Sequence, residues 1–195
     1  PFIPVNCAAI PENLLEGILF GTVKGAYTDA PDKPGLFEKA NCGTLLFDEL
    51  NSMPLGLQAK LLRVIQEKRV RRLGSHTEIP INVRIVCATN KDLAELVRCG
   101  KFREDLFYRL NVLRLNLPPL RKHPEDIEEL ADSFLSWLPQ SLSLPRPQIS
   151  PEALAVLKLY HFPGNIMGLR TVIERLLAIE KGREIQESNP SSVQL

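Results

Sequence analysis

The sequence predicts an α/β fold in which a parallel sheet flanked by helices is followed by a small all-α unit. Three observations carry that reading. Short apolar runs recur at 2–6, 44–47, 83–88 and 112–117, and helical stretches alternate with them, the pattern of βαβ units. Two consecutive prolines, Pro118 and Pro119, interrupt the chain after the fourth run. Beyond them the apolar periodicity is helical only.

FIPVN is the first expected strand, and PENLLEGILF follows as a helix with Pro11 in its first turn, where a missing N–H costs nothing. TLLF at 44–47 is the second strand. PLGLQAKLLRVIQEK then places Leu57, Leu61 and Ile65 on one helical stripe. The runs 83–88 and 112–117 supply a third and a fourth strand. In the second part, Ile127, Leu130, Ala131, Phe134 and Leu138 recur at helical spacing. Ser150-Pro151-Glu152 opens a short helix, with serine as N-cap and proline at the first position. Ile166, Leu169, Val172, Ile173, Leu176 and Leu177 line one face of a last helix. The expected division is therefore an α/β core over 1–119, a helical unit over 120–183 and a polar linker over 184–195.

Composition narrows the class of function. Against 24 basic residues stand 23 acidic ones, so no global charge draws the chain to nucleic acid. Four cysteines, Cys7, Cys42, Cys87 and Cys99, form no C-x-x-C pair and have no histidine at metal-ligand spacing. They read as reduced, mostly buried thiols of a cytoplasmic protein. No apolar run has the ~20 residues that a membrane span requires. The chain opens on Pro1 and already inside a strand, so it reads as a fragment of a longer protein.

GTLLFDEL is a buried strand that runs out into Asp48 and Glu49. Carboxylates at the carboxyl end of a parallel strand face the ligand crevice of an open sheet, where the aspartate can hold Mg²⁺ and the glutamate can activate water. This is the Walker B pattern; the alternative is a strand that merely ends in polar residues. VRIVCATN ends a neighbouring strand in Thr89-Asn90, an amide able to hold water or a phosphate oxygen, or to cap the helix beginning KDLAEL. KFREDLFYRLNV carries Arg103 and Arg109, which either pair with Glu104 and Asp105 or reach a nucleotide across a subunit boundary. The loop GTVKGAYTDA has the glycines and lysine of a phosphate cradle but not its spacing. A Walker A loop needs Gly-x-x-x-x-Gly-Lys-Ser/Thr, whereas here Lys24 precedes Gly25.

Taken together, PVNCAAIPENLLE, LFGTVKGAYTDA, GLFEKANCGTLLFDEL, LLRVIQEKRVRRLG, VRIVCATN, FREDLFYRLNV, LPPLRKHPEDI and FPGN resemble the AAA+ ATPase domain of bacterial enhancer-binding proteins, the activators of sigma-54 RNA polymerase. The similarity spans nearly the whole chain. It implies an AAA+ sheet of the P-loop type with a helical lid, acting on ATP with Mg²⁺. By this match Asp48 coordinates Mg²⁺, Glu49 activates water and Asn6 holds the glutamate back until substrate contact is sensed. Asn90 takes the place of the first sensor residue. Arg103 and Arg109 match arginine fingers that act on a neighbouring protomer, which implies a ring, typically a hexamer. Gly25, Ala26, Tyr27, Thr28, Asp29 and Ala30 correspond to the family's GAFTGA loop, which contacts the sigma-54 holoenzyme. The basic run Lys68 to Arg72 corresponds to a solvated strand, and DNA is expected to be met only through a domain outside this sequence.

Three departures from the family pattern stand out. No Walker A motif occurs, so the chain by itself is expected not to turn over ATP. Met167 occupies the place of the lid's sensor arginine and Gly168 that of a glutamate, with Arg170 one turn further on. Asp29 stands where the contact loop usually has its second glycine, a position where aspartate is less tolerant of positive φ. Two classes of function follow. One is an ATP-driven remodeller of the sigma-54 closed complex, favoured by Asp48, Glu49, Asn90, Arg103 and Arg109. The other is a non-catalytic regulator or scaffold, favoured by Asp29, Met167 and Gly168.

Overall fold

A computed structural model of the chain describes residues 1–28, 30–141, 147–180 and 185. It divides into two units, Pro1–Arg114 and Leu115–Leu195, each with its own apolar core.

In chain order the first unit carries strand β1 (Phe2–Asn6), helix α1 (Glu12–Phe20), the short strands β2 (Gly21–Thr22) and β3 (Lys33–Pro34), and the single-turn helix α2 (Leu36–Lys39). Then follow β4 (Thr44–Asp48), α3 (Leu55–Glu67), β5 (Arg69–Arg71), β6 (Glu78–Pro80), β7 (Arg84–Cys87), α4 (Leu93–Arg98) and α5 (Glu104–Leu110). Strands β1, β4 and β7 form a parallel sheet in the order β1-β4-β7. Such a sheet needs apolar cover. Leu45 and Phe47 on β4 are fully buried, and Phe47 meets Phe37, which in turn stacks on Phe20 with ring centroids 5.5 Å apart. Helix α3 buries Leu57, Leu61, Leu62 and Val64, each worth about 1.5–3 kcal/mol relative to exposure. Two antiparallel ribbons, β2-β3 and β5-β6, stand apart from the sheet.

The fourth expected strand does not form. Residues 112–117 have no regular structure, and Val112, Leu113, Leu115 and Leu117 are all more than three-quarters exposed. An apolar run becomes a strand only where a sheet edge receives its backbone groups. Among the described residues β7 pairs with β4 alone, so no ladder extends to this segment.

The second unit consists of a 3₁₀ turn at Leu120–Lys122, then α6 (Asp126–Ser141), α7 (Pro151–Leu159) and α8 (Asn165–Glu180). Ile127, Ala131, Leu135 and Leu138 of α6 share one core with Leu169, Val172, Ile173, Leu176 and Leu177 of α8. Helix α7 begins as its sequence dictates, with the Ser150 hydroxyl accepting from the Ala153 N–H and Pro151 at the first position. Ile166, expected on the core face of α8, is half exposed because it lies in the first turn, ahead of the packed stripe. Within the segment read as a linker, Ile185 is buried; its N–H donates to the Gln148 carbonyl and its carbonyl accepts from the Ser150 N–H. The remainder of 186–195, and Glu184, lie outside the described residues. No helix among the described residues is long and apolar enough to cross a membrane.

Candidate functional site at the carboxyl ends of the strands

Asn6 pairs in register with Asp48, and Phe47 with Cys87, so the three parallel strands end level with one another. Asn6, Asp48-Glu49 and Thr89-Asn90 therefore leave the same edge of the sheet, where open α/β folds bind ligands. Asp48 is exposed, and its Oδ1 accepts the Glu49 N–H at 2.9 Å, which leaves Oδ2 uncommitted. Glu49 sits in the left-handed region at φ 49° and ψ 46°, which non-glycine residues rarely adopt. Two anchors hold it there. Leu50 is fully buried, and its N–H donates to the Ala88 carbonyl at 3.1 Å.

The β7 side of the edge is organised by hydroxyl and amide groups. The Thr89 hydroxyl donates to Asn51 Oδ1 at 2.8 Å and accepts the Lys91 N–H at 3.1 Å, joining the turn after β4 to the turn after β7. Asn51 had no sequence signal, because its partner lies far along the chain. Asn90 is exposed, and no side-chain hydrogen bond is formed by it among the described residues. It does not cap α4. Asp92 does, accepting the Ala94 N–H at 2.9 Å, because it immediately precedes the helix whereas Asn90 lies two residues further out. Asn6 turns inward on its own loop: its Oδ1 accepts the N–H groups of Ala8 and Ala9, and it makes no hydrogen bond to Glu49.

Behind the acidic pair lies Cys7, whose thiol is pushed up to about 11, first by burial and then by the charges of Asp48 and Glu49. Cys87 is pushed up to about 12, mainly by burial. The expectation of mostly buried thiols is half right. Cys42 and Cys99 are exposed, since Cys42 sits in a tight turn and Cys99 ends α4. A maleimide at pH 7 is therefore expected to modify Cys42 and Cys99 rapidly while the folded chain protects Cys7 and Cys87, read by mass spectrometry of the labelled peptides.

Of the two arginines, Arg103 is held in a bidentate pair with Asp105, with Nε to Oδ1 at 3.0 Å and Nη2 to Oδ2 at 2.6 Å. That guanidinium keeps the Asp105 carboxyl below the usual carboxylate range. Arg109 forms no ion pair among the described residues. It lines, with Lys68 and Asn82, a cavity of about 260 Å³ walled by Phe37, Val64, Ile65, Ile81, Val83 and Ile85.

The loop between β2 and β3 is pinned at its root. Gly21 (φ 82°) passes so close to Gly35 that a Cβ on it would lie 2.6 Å from the Gly35 nitrogen. The Thr22 hydroxyl donates to the Pro31 carbonyl across the loop at 2.6 Å. The second ribbon supports the first: Leu73 N–H donates to Gly21 O, and Val23 N–H donates to Leu73 O. At Gly74 (φ 77°) a Cβ would meet Ala26 Cβ at 2.8 Å. Gly25, Tyr27 and Thr28 are exposed, whereas Ala26 is half-buried against Gly74 and Ala30 is buried. Asp29 lies outside the described residues. From the basic run, Arg69 and Arg71 are exposed on β5, but Arg72 folds back on the loop root, bonding both Glu38 oxygens at 2.7 Å and Asp32 at 2.7 Å. Sequence reasoning missed this contact because Glu38 is 34 residues away from Arg72.

In the second unit Met167 is 75% exposed. Arg170 is committed within that unit, paired with Glu174 at 2.8 Å and set over the Trp137 ring at 5.2 Å from its centroid.

The donors at the strand ends are oxygens, which suit Mg²⁺ rather than zinc or copper. Among the described residues no three His, Cys, Asp or Glu side chains converge as a metal cage. Asp48 would thus be the single carboxylate ligand, with water and phosphate oxygens completing the shell, an arrangement Mg²⁺ commonly takes.

Residues 1–116 match the family described as the sigma-54 interaction domain, and residues 121–191 match the AAA+ ATPase lid domain. The chain is 52% identical over 183 residues to the regulatory protein AtoC of Escherichia coli, covering 93% of this chain and 40% of AtoC. It is 48% identical over 187 residues to the response regulator protein PilR of Pseudomonas aeruginosa, covering 95% of this chain and 42% of PilR. A solved structure of NtrX from Brucella abortus in complex with ATP superposes over 96% of this chain and 42% of that chain, with a TM-score of 0.85 at 35% identity. The chain thus spans less than half the length of these relatives. In its sheet, its helical second unit and its matched residues, it belongs to the sigma-54 interaction domain family of AAA+ proteins.

Proposed function

We propose that the intact protein is an ATPase that couples ATP binding and hydrolysis to remodelling of the sigma-54 RNA polymerase closed complex. One observation carries this reading: Asn6, the Asp48-Glu49 pair and Asn90 leave the same edge of a three-stranded parallel sheet, although the three segments are far apart in sequence. Mg²⁺, held by Asp48, would neutralise charge on the transferred phosphoryl group. Glu49, oriented by its left-handed turn, orients and deprotonates the attacking water. Asn90, whose amide is uncommitted, is free to meet a phosphate oxygen. Asn6 would exchange its local backbone bonds for Glu49 when the site relaxes to its resting form. Arg103 and Arg109 act on the ATP of the neighbouring protomer, so the protein works as a ring, a hexamer by family precedent. The segment Gly25 to Ala30, including Asp29, is the sigma-54 contact, with Tyr27 as its exposed aromatic. Residues 1–195 contain no Walker A motif, so the chain alone is expected not to turn over ATP; the intact protein is cytoplasmic and meets DNA through another domain.

The test is promoter opening by sigma-54 holoenzyme, driven by the intact protein with ATP. Tyr27→Ala is expected to abolish opening while leaving ATP turnover within about twofold, since an exposed loop residue takes no part in phosphoryl transfer. Loss of both, or of neither, would contradict the assignment of the loop.

A second reading has its own support. Met167 is solvent-exposed and carries no charge, and Arg170, one turn further on, is held by Glu174 and Trp137 instead of standing free to reach a nucleotide. A regulator that assembles without productive turnover fits that arrangement. The two readings separate on steady-state phosphate release by the intact protein: release well above background supports the first, release at background the second.

A further inference from the structure

The one fully buried polar side chain in the first unit's helices is Gln58, on α3. It interrupts an apolar stripe, lying beside Leu57 and one turn before Leu61 and Leu62, all of them core residues. A buried amide has to satisfy its donors and its acceptor or carry a cost, so its partners are informative. Gln58 Nε2 donates to the Met53 carbonyl at 2.8 Å and to the Lys101 carbonyl at 3.3 Å, and Oε1 accepts the Arg103 N–H at 2.8 Å. Two carbonyls on one side and an N–H on the other fix the amide orientation. Met53 ends the 3₁₀ turn that begins directly after Glu49, and Arg103 is the residue on which α5 starts. Phe102, 2% exposed, and Leu106, fully buried, flank the start of α5 and belong to the same apolar core as α3.

We propose that Gln58 is a positioning residue for Arg103, a single buried amide that ties the turn carrying the water-activating Glu49 to the turn presenting Arg103 to the neighbouring protomer. This rests on the reading of Arg103 as a group that acts across the ring. A rigid link gives a reason for an amide at a fully buried position of an otherwise apolar stripe. Removing it lets the Lys101–Arg103 segment move by fractions of an ångström against α3, and a displacement of that size at a phosphoryl-transfer site is worth one to two orders of magnitude in rate. The burial of the amide also insulates the link from solvent, so the bonds at its two ends are stronger than surface equivalents.

Gln58→Met in the intact protein keeps the length and volume of the side chain and removes all three hydrogen bonds. It is expected to lower kcat for ATP roughly tenfold to a hundredfold, with KM for ATP within about twofold. Mixing decides whether the defect acts across the ring. Assemblies of Gln58→Met with Glu49→Gln protomers should turn over faster than either alone, because a Gln58→Met site then receives a correctly held Arg103 from its Glu49→Gln neighbour. Unchanged kcat in Gln58→Met, or mixed assemblies no faster than the sum of their parts, would overturn the proposal. Hydrogen exchange supplies a readout independent of turnover and of the substitution's effect on folding. In the unsubstituted chain the Arg103 amide, though at a helix start where amides are otherwise unpaired, should be protected to the level of the α3 core, and exchange as fast as the Glu104 amide would overturn the link. If the intact protein releases no phosphate at all, the functional reading fails, and exchange at Arg103 alone decides whether Gln58 holds that turn.

Discussion

Replacing Glu49 by glutamine in the intact protein is expected to lower kcat for ATP by roughly 10²–10⁴-fold, the usual contribution of a positioned general base, while ATP binding stays within about twofold. Glu49 is strained into the left-handed region and held there by the Asp48 carboxylate, by the bond from Leu50 to Ala88 and by the burial of Leu50. Glutamine keeps the same backbone bonds and nearly the same volume, so the turn survives and only the basic oxygen is lost. Phosphate release and equilibrium binding of a fluorescent ATP analogue separate the two quantities. An unchanged kcat would remove Glu49 from the chemistry and transfer the base to another group. Parallel loss of binding would instead make Glu49 part of the nucleotide cradle. Asp48→Asn gives the complementary result, loss of turnover together with loss of the Mg²⁺ dependence of binding, because its uncommitted oxygen is the metal ligand in this scheme.

How far the sequence alone reached depended on whether a feature was local. The start of α7 was legible because Ser150 and Pro151 carry their own chemistry, a hydroxyl acceptor and a preset φ, whatever surrounds them. The placement of the acidic pair was legible for a similar reason, since an apolar run ending in two carboxylates marks where a buried strand stops, and β4 does end at Asp48. Residues 112–117 show the limit. Their apolar pattern is that of a strand, but strand formation is decided by a partner edge, and among the described residues no edge receives them. Asn90 and Asp92 compete as caps two residues apart, and composition cannot rank them; the backbone of Asp92, extended immediately before the helix, does. The bonds that organise the site, Thr89 to Asn51, Arg103 to Gln58 and Arg72 to Glu38, join residues 38, 45 and 34 positions apart, and no window of sequence contains both ends of any of them.

The last of those pairs carries the second large effect. Arg72→Ala is expected to destabilise the chain by about 2 kcal/mol and to uncouple ATP turnover from promoter opening. Arg72 and Glu38 are only 23% and 13% exposed, and the bidentate geometry at 2.7 Å makes this a strong pair, whereas the bond to Asp32, 64% exposed, adds little. Removing the guanidinium leaves a largely buried Glu38 carboxylate with, among the described residues, only the Gly35 N–H as a partner at 3.4 Å. Because Glu38 lies at the root of the β2-β3 loop and Arg72 follows β5, their loss leaves the loop proposed to contact sigma-54 tied to the ribbon only through the backbone bonds of Leu73 to Gly21 and Val23. The pH dependence has a definite sign. Hydrogen bonding to Arg72 comes first among the influences that hold the Glu38 carboxyl below its ordinary value of 4.5. The stabilisation is therefore complete above about 4.5 and is lost as pH falls through the lower folded-state value. Thermal or urea denaturation of Glu38→Gln against the parent chain should accordingly show the largest difference near neutrality and a shrinking one below pH 4.5. A difference independent of pH across that window would mean that the pair contributes packing rather than charge, and that the loop root is held by its backbone bonds alone.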